Sequence, residues 1–163
     1  MPEKLEQLKI DEQDAISRAV SLMLSECPIV KAKKLEVHVD GLPNKAEVIG
    51  VFPIQGAVYL SKYISGGFVA QFPFQIRYRI KASERDDARR IDAANMLDKI
   101  GRWFSGQEVA YGGKAYSIDE YPALTERRTI CGIERSSTAF LSAMAQDGTT
   151  DFQINMQLKY VKG

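Results

Sequence analysis

From Phe68 the side chains alternate without a break. Phe68, Ala70, Phe72, Phe74, Ile76, Tyr78 and Ile80 fall on one side, and Gln71, Pro73, Gln75, Arg77, Arg79 and Lys81 on the other, with Val69 the apolar exception. A period of two sustained this long predicts a strand with one buried face. The C-terminal segment repeats it: Phe152, Ile154, Met156, Leu158 and Tyr160 alternate with Gln153, Asn155, Gln157 and Lys159. At about 3.3 Å per residue the stretch Phe68 to Ile80 spans about 43 Å, against a diameter of about 40 Å for a compact chain of this length. The strand therefore bends or protrudes as an arm. Pro73 is the expected site of a bend, since it has no N–H for a ladder and belongs at an edge or bulge.

Two stretches carry helical spacing. Ile16, Ala19, Val20, Met23, Leu24 and Cys27 form one stripe over residues 11–27, with Asp11 as N-cap, Glu12 and Asp14 in an acidic first turn, and Pro28 as the stop. A second helix opens at Ser83, with Asp86 completing a capping-box-like spacing and Glu84 and Asp87 adding negative charge to the first turn. Its stripe is Ala88, Ile91, Ala94, Leu97, Ile100 and Phe104, with Trp103 beside it, and Gly106 ends it.

The remaining signals are shorter strands and turns. Leu35, Val37 and Val39 alternate with Glu36, His38 and Asp40 up to Gly41-Leu42-Pro43, and one or two strands lie between Ala46 and Tyr63. Ser65-Gly66-Gly67 and Gly112-Gly113 read as hairpin turns, Thr129 to Arg135 and Ser137 to Ala145 as strands, and Gln146 to Thr150 as a further turn. The order of elements predicts an α+β fold, an antiparallel β-sheet with two amphipathic helices packed on one face, in a single domain over residues 1–163.

Composition bounds the function. The 163 residues carry 22 basic and 21 acidic side chains, so no global field favours nucleic acid or an anionic membrane, although a local stripe remains possible. Cys27 and Cys131 stand apart with no C-x-x-C partner and read as buried free thiols of a reducing compartment. The start Met1-Pro2-Glu3-Lys4 lacks the apolar core of a signal peptide, and no apolar run approaches about 18 residues, which predicts a soluble, unprocessed protein kept inside a cell.

A search for reactive groups finds little. The single histidine, His38, shares a strand face with Glu36 and Asp40, a formal three-ligand or acid–base cluster, but a metal site normally draws on more His or paired Cys, and a solvated strand face is the plainer reading. Gly113-Lys114 resembles a fragment of a phosphate loop, yet Ala115 stands where the hydroxyl is needed and no helix follows. No catalytic residue, metal or cofactor is expected. The Phe-rich strand face reads as core rather than as a base-stacking platform, because two amphipathic helices need a sheet to cover. Its other face carries a basic stripe, Arg77, Arg79 and Lys81, which suits a solvated or subunit-facing surface better than a phosphate track. On the last strand Gln153, Asn155 and Gln157 are polar without charge, unlike the Lys and Glu that guard solvent-facing strands, and amides form interface hydrogen bonds without a charge-desolvation cost. These six residues are the candidate subunit interface.

The segments Gln55-Gly56-Ala57-Val58-Tyr59-Leu60, Tyr63 through Phe74, Tyr121-Pro122-Ala123-Leu124, Ile133-Glu134-Arg135-Ser136-Ser137-Thr138 and the closing stretch from Asp147-Gly148 to Tyr160 together resemble a family of long-tailed bacteriophage proteins. Its members are labelled minor capsid proteins and are similar to tail terminators of the neck. The resemblance runs in order from about Gly50 to the end, and the N-terminal helix fits by position. It implies a homohexameric ring on the head-proximal end of the tail tube, which stops tube growth and meets the head connector while DNA passes through the lumen without specific binding. It implies a place in the virion, after assembly in the bacterial host cytoplasm, and no catalytic residues. A different head–tail connector or neck component is the near alternative, and a small nucleic-acid-binding module a more distant one.

Overall fold

The computed structural model describes residues 5–83 and 85–163. In chain order they form α1 (Ile10–Glu26), α2 (Pro28–Lys33), β1 (Glu36–Val39), β2 (Val48–Pro53), β3 (Val58–Lys62), β4 (Phe68–Lys81), α3 (Asp87–Phe104), β5 (Val109–Tyr111), β6 (Lys114–Tyr116), β7 (Arg128–Arg135), β8 (Phe140–Met144) and β9 (Thr149–Lys162). This is an α+β fold in which helices pack against a seven-stranded sheet, with β5 and β6 as a separate hairpin.

The two segments with the clearest alternation are partners. β4 and β9 run antiparallel in unbroken register for their full 14 residues, from Phe68 opposite Lys162 to Lys81 opposite Thr149. Of the two alternatives, a bend or an unpaired arm, the arm is not what forms, since β4 is paired with β9 along its whole length. Pro73 makes no bulge in the pairing with β9. It sits where the other flank of β4 changes hands, β2 covering Phe74 to Arg79 and β3 covering Phe68 to Gln71, and its carbonyl accepts from the Ile54 N–H of the connecting loop at 3.2 Å. A residue with no ladder donor is tolerated at such a seam. β9 is flanked likewise by β7 along one half and β8 along the other.

One part of the sequence expectation needs correction. The sheet is mixed rather than wholly antiparallel, because β1 pairs in parallel with β2. The eight residues between them form no hairpin, and the chain crosses back over the sheet before entering β2.

Side chains of one parity make the core. Phe72, Phe74, Ile76, Tyr78 and Ile80 of β4 and Ile154, Met156, Leu158 and Tyr160 of β9 are almost wholly buried. α1 contributes Ile16, Val20, Met23, Leu24 and the following Cys27 to the same cluster. Its start differs from expectation. The N-cap position is Lys9, not Asp11, and Gln13 Nε2 donates to the Leu8 carbonyl at 2.8 Å. Pro28 does not end helical structure either. After one extended residue, Cys27, it opens α2, where a first-turn proline has no N–H to lose, and α2 stops at Lys34 in the left-handed conformation (φ 54°).

α3 starts later than the Ser83 signal suggests. Asp86 is its N-cap and accepts from the Arg89 N–H at 3.2 Å, while Ser83 only lends its carbonyl to the Asp86 N–H. Glu84, assigned to the first turn on sequence grounds, lies outside the described residues. Burial begins at Ala93 and continues through Met96, Leu97, Ile100, Trp103 and Phe104, so Ile91 is exposed rather than core. Gly106 (φ 84°) ends the run, as expected. The helix sits close over β9. A Cβ on Gly101 would collide with the Ile154 Cδ1 and lie 3.3 Å from the Arg135 Cδ.

Cys27 is buried and free, whereas Cys131, expected to be buried, is exposed at an irregularity of β7 between Ile130 and Gly132 that turns it outward.

A buried charge cluster ties α1 to the far strands. The Arg128 guanidinium grips Glu12 with both arms, Nε to Oε1 at 2.8 Å and Nη2 to Oε2 at 2.7 Å, and the Tyr160 hydroxyl donates to Glu12 Oε1 at 3.0 Å. Lys162 Nζ stands 3.4 Å from the same carboxylate. Hydrogen bonding from Arg128, above all, holds the Glu12 carboxyl down to about 2 despite burial. The same burial pushes the Tyr160 hydroxyl up.

Because the Glu12 pKa is depressed on folding, its contribution is complete above about 4.5 and is lost as pH falls towards 2, so acid unfolding should show a carboxylate whose contribution amounts to roughly 3 kcal/mol. Urea titrations between pH 7 and pH 2.5 should reveal that loss, and Glu12→Gln should flatten the slope. Arg128→Met alone should cost about 3–5 kcal/mol by stranding a buried carboxylate, and adding Glu12→Leu should restore part of it. Separately, Gly101→Val should lower stability by about 1–3 kcal/mol through overpacking against Ile154, measured by the urea midpoint.

Candidate functional site

The register of β4 and β9 decides where the six predicted interface residues lie. Arg77 is opposite Gln153, Gln75 opposite Asn155, and Pro73 opposite Gln157, while Arg79 faces Asp151 and Lys81 faces Thr149. All six residues therefore share the sheet face turned away from the helices. The sequence placed each set on an outer face of its own strand; the structure joins the two sets into one surface.

Within that surface the charges are largely spoken for. Arg79 clamps Asp151 through Nε at 2.7 Å and Nη2 at 2.9 Å, and its Nη1 donates to the carbonyls of Leu42 and Pro43 at 3.2 and 2.8 Å. It pins the turn after β1 onto the end of the sheet, where Val48 is buried beneath it. Bonding to Asp151 raises the guanidinium pKa further. Arg77 lies flat, its Cζ 4.5 Å from the Phe52 ring centroid, and its Nε donates to Gln75 Oε1 at 3.0 Å. Such a contact places the cation over the negative ring face. Lys81 alone of the three is exposed.

The amides form the middle of the face. Gln153, 9% exposed, donates from Nε2 to Asn155 Oδ1 at 3.1 Å. The Asn155 backbone is held by the loop between β7 and β8, its N–H donating to Ser137 Oγ at 3.0 Å and its carbonyl accepting from the Ser136 N–H at 2.8 Å. Gln157 and, from β4, Gln71 and Gln75 extend the patch. Gln71 and Gln75 were legible by parity alone. Phe52 was not, since only the pairing of β2 with β4 sets it beside Gln75 and under Arg77.

The other chemical candidates disperse. His38 Nε2 is 3.5 Å from Glu36 Oε1 and makes no hydrogen bond among the described residues, while Glu36 pairs with Lys45, which lowers its pKa. Asp40 lies beyond the end of β1 with φ 58°. No group of three or more His, Cys, Asp or Glu is placed to hold a metal among the described residues. Gly112 and Gly113 are the two left-handed residues of the β5–β6 hairpin (φ 61° and 80°), a turn conformation open to glycine without steric cost. A cleft of about 450 Å³ runs between α1 and the segment before β7, lined by Asp11, Ala15, Ala19, Leu22, Leu124 and Arg128 among others, and Arg128 there is already committed to Glu12. No described helix is long and apolar enough to cross a membrane.

Searched against known proteins, the chain matches no family model and no curated protein.

Proposed function

We propose that the protein is a structural component of a phage neck, a tail terminator that caps the head-proximal end of the tail tube as a homo-oligomeric ring, stops tube polymerisation and offers a surface for head joining. One observation carries this reading beyond the resemblance in sequence. The outer face of the β4–β9 pair is rich in amides and supported along 14 residues of unbroken register, with Gln153 and Asp151 buried within it and Arg79 neutralised by Asp151. Such a surface is suited to protein contact. Amides there exchange water for partner hydrogen bonds at little desolvation cost, whereas isolated charges do not.

Identical subunits with complementary surfaces close into a ring, and closure uses up the contacts that would otherwise continue growth. One face of the ring then repeats the tube contact and the other does not, which ends the polymer. On this reading the tail-tube protein and the head connector are the partners, DNA crosses the lumen without specific contacts, and the protein's place is the virion after assembly in the bacterial cytoplasm. The same surface serves a connector that joins the head without ending the tail. A nucleic-acid-binding role gains little from the basic stripe, since Arg79 is bound to a carboxylate and Arg77 lies on Phe52.

Native mass measurement and negative-stain imaging of the purified protein, alone and mixed with tail-tube protein, test the proposal. Rings are expected, either free or seated on one end of each tube, with tubes no longer growing from the capped end. A protein that stays monomeric and ignores tube ends would overturn it. Asn155→Lys, which places a charge in the centre of the amide face, should reduce assembly and also lower the unfolding free energy by about 1–3 kcal/mol, because the buried Gln153 Nε2 loses its acceptor.

A further inference from the structure

Two of the edge strands of the sheet, β8 and β1, lie at the same level. Following the register across, Leu141 of β8 is opposite Phe152, which is opposite Tyr78, then Ile49, then Val37 of β1. The neighbouring row runs from Phe140 through Gln153, Arg77 and Gly50 to His38. β8 and β1 are thus the two lateral edges of one five-strand tier. Their polarity is opposite, because β8 is antiparallel to β9, β9 to β4 and β4 to β2, while β1 is parallel to β2.

Their side chains match as well. Leu141 and Met144 point to the helix side of the sheet, each 45% exposed, and so does Val39 at the end of β1, 42% exposed. β8 as a whole, Phe140-Leu141-Ser142-Ala143-Met144, is exposed at every residue and carries neither charge nor proline. Natural proteins guard a free edge with such residues, and the other tier of this sheet does so. β7 carries Glu134 and Arg135, and β3 is covered by the segment before α1, with an isolated bridge between Gln7 and Val58 and the Tyr59 N–H bonded to the Glu6 carbonyl. β8 has one irregularity, between Leu141 and Ala143, where the Ser142 hydroxyl donates back to the Asp151 carbonyl at 3.1 Å. It brings no charge against Glu36, whose carboxylate is already paired with Lys45.

We infer that β8 of one subunit adds antiparallel to β1 of a second copy of this chain, so that the upper tier of the sheet runs on from subunit to subunit. The inference rests on the ring reading above and names the contact that reading requires. An edge used on one side only would leave the other open. A head-to-tail ring, in which each copy gives β8 to one neighbour and β1 to the next, fills both. The contact is also small. A pairing of four residues is about 13 Å long and about 10 Å thick, well below the roughly 800 Å² per partner of a stable pairwise interface. Isolated dimers are therefore disfavoured, and the expected species are monomer and closed ring, with the amide face and adjoining loops supplying the remaining contact.

The test places one thiol on each edge, Val39→Cys with Leu141→Cys in a Cys131→Ser background, and treats the assembled protein with a short bis-maleimide. A covalent ladder ending at the ring size is expected from the double variant and none from either single variant. Leu141→Lys with Met144→Lys should reduce the fraction in rings about tenfold or more while circular dichroism and thermal unfolding stay those of the parent. Rings that form normally without a ladder, and that tolerate both lysines, would overturn the edge pairing and leave the ring itself standing. Cross-linking of Leu141→Cys to itself would overturn it in favour of a two-fold edge. A parent protein that assembles neither alone nor on tube ends would remove the ring and the pairing together.

Discussion

The rest of the structure hangs on the pairing of β4 with β9. These strands are separated in sequence by a helix, a hairpin and two shorter strands, yet they meet over their entire length with no slip. Register matters here more than propensity, because a slip of one residue would turn the apolar set of one strand to the solvent face while that of its partner stayed on the core face. In the observed register Phe72, Phe74, Ile76 and Tyr78 lie beside Leu158, Met156, Ile154 and Phe152, and both polar sets go to the other side. One pairing thus builds the floor on which α1 and α3 rest and the outer surface proposed for assembly.

The helices are fixed to that floor in different ways. α3 approaches β9 closely because Gly101 has no side chain to hold it off Ile154. α1 is anchored by charge, with Glu12 bonded to Arg128, Tyr160 and Lys162, residues of the last two strands to join this end of the sheet. Buried ion pairs of this kind contribute modestly to net stability, but a missing partner is costly, so they specify where the N-terminal helix must dock. On the opposite face Arg79 does the same for the turn after β1. A scaffold pinned on both faces suits a passive part of a larger assembly, where the shape of the surface is the functional property.

Most of the candidate surface could be read one strand at a time. The parity of Arg77, Arg79 and Lys81, and of Gln153, Asn155 and Gln157, places each set away from the core, and the structure keeps them there. What could not be read was their adjacency, or the use of Arg79 as a tether rather than an open cation, since Asp151 and the Leu42 and Pro43 carbonyls are remote in sequence. The errors at helix starts have a local cause. Asp11 and Ser83 carry side chains suited to capping, but the backbone is already helical at Ile10, before Asp11, and becomes helical again only at Asp87, beyond Ser83. Ile91 fits the helical stripe by spacing and is nevertheless exposed, because burial along α3 begins only at Ala93.

Sequence alone therefore determined the α+β class, the two long strands with their buried faces, the two main helices and most of the turns, because each of these rests on periodicity or on backbone preferences felt within a few residues. Tertiary structure decided the rest: that β1 joins β2 in parallel, that the long strands pair with each other, and that β8 and β1 become level, antipolar edges. Strand partners are chosen by the fit of whole hydrophobic faces and by the crossing of remote chain segments. No local pattern encodes that choice, and it is the choice that turns scattered polar positions into one surface.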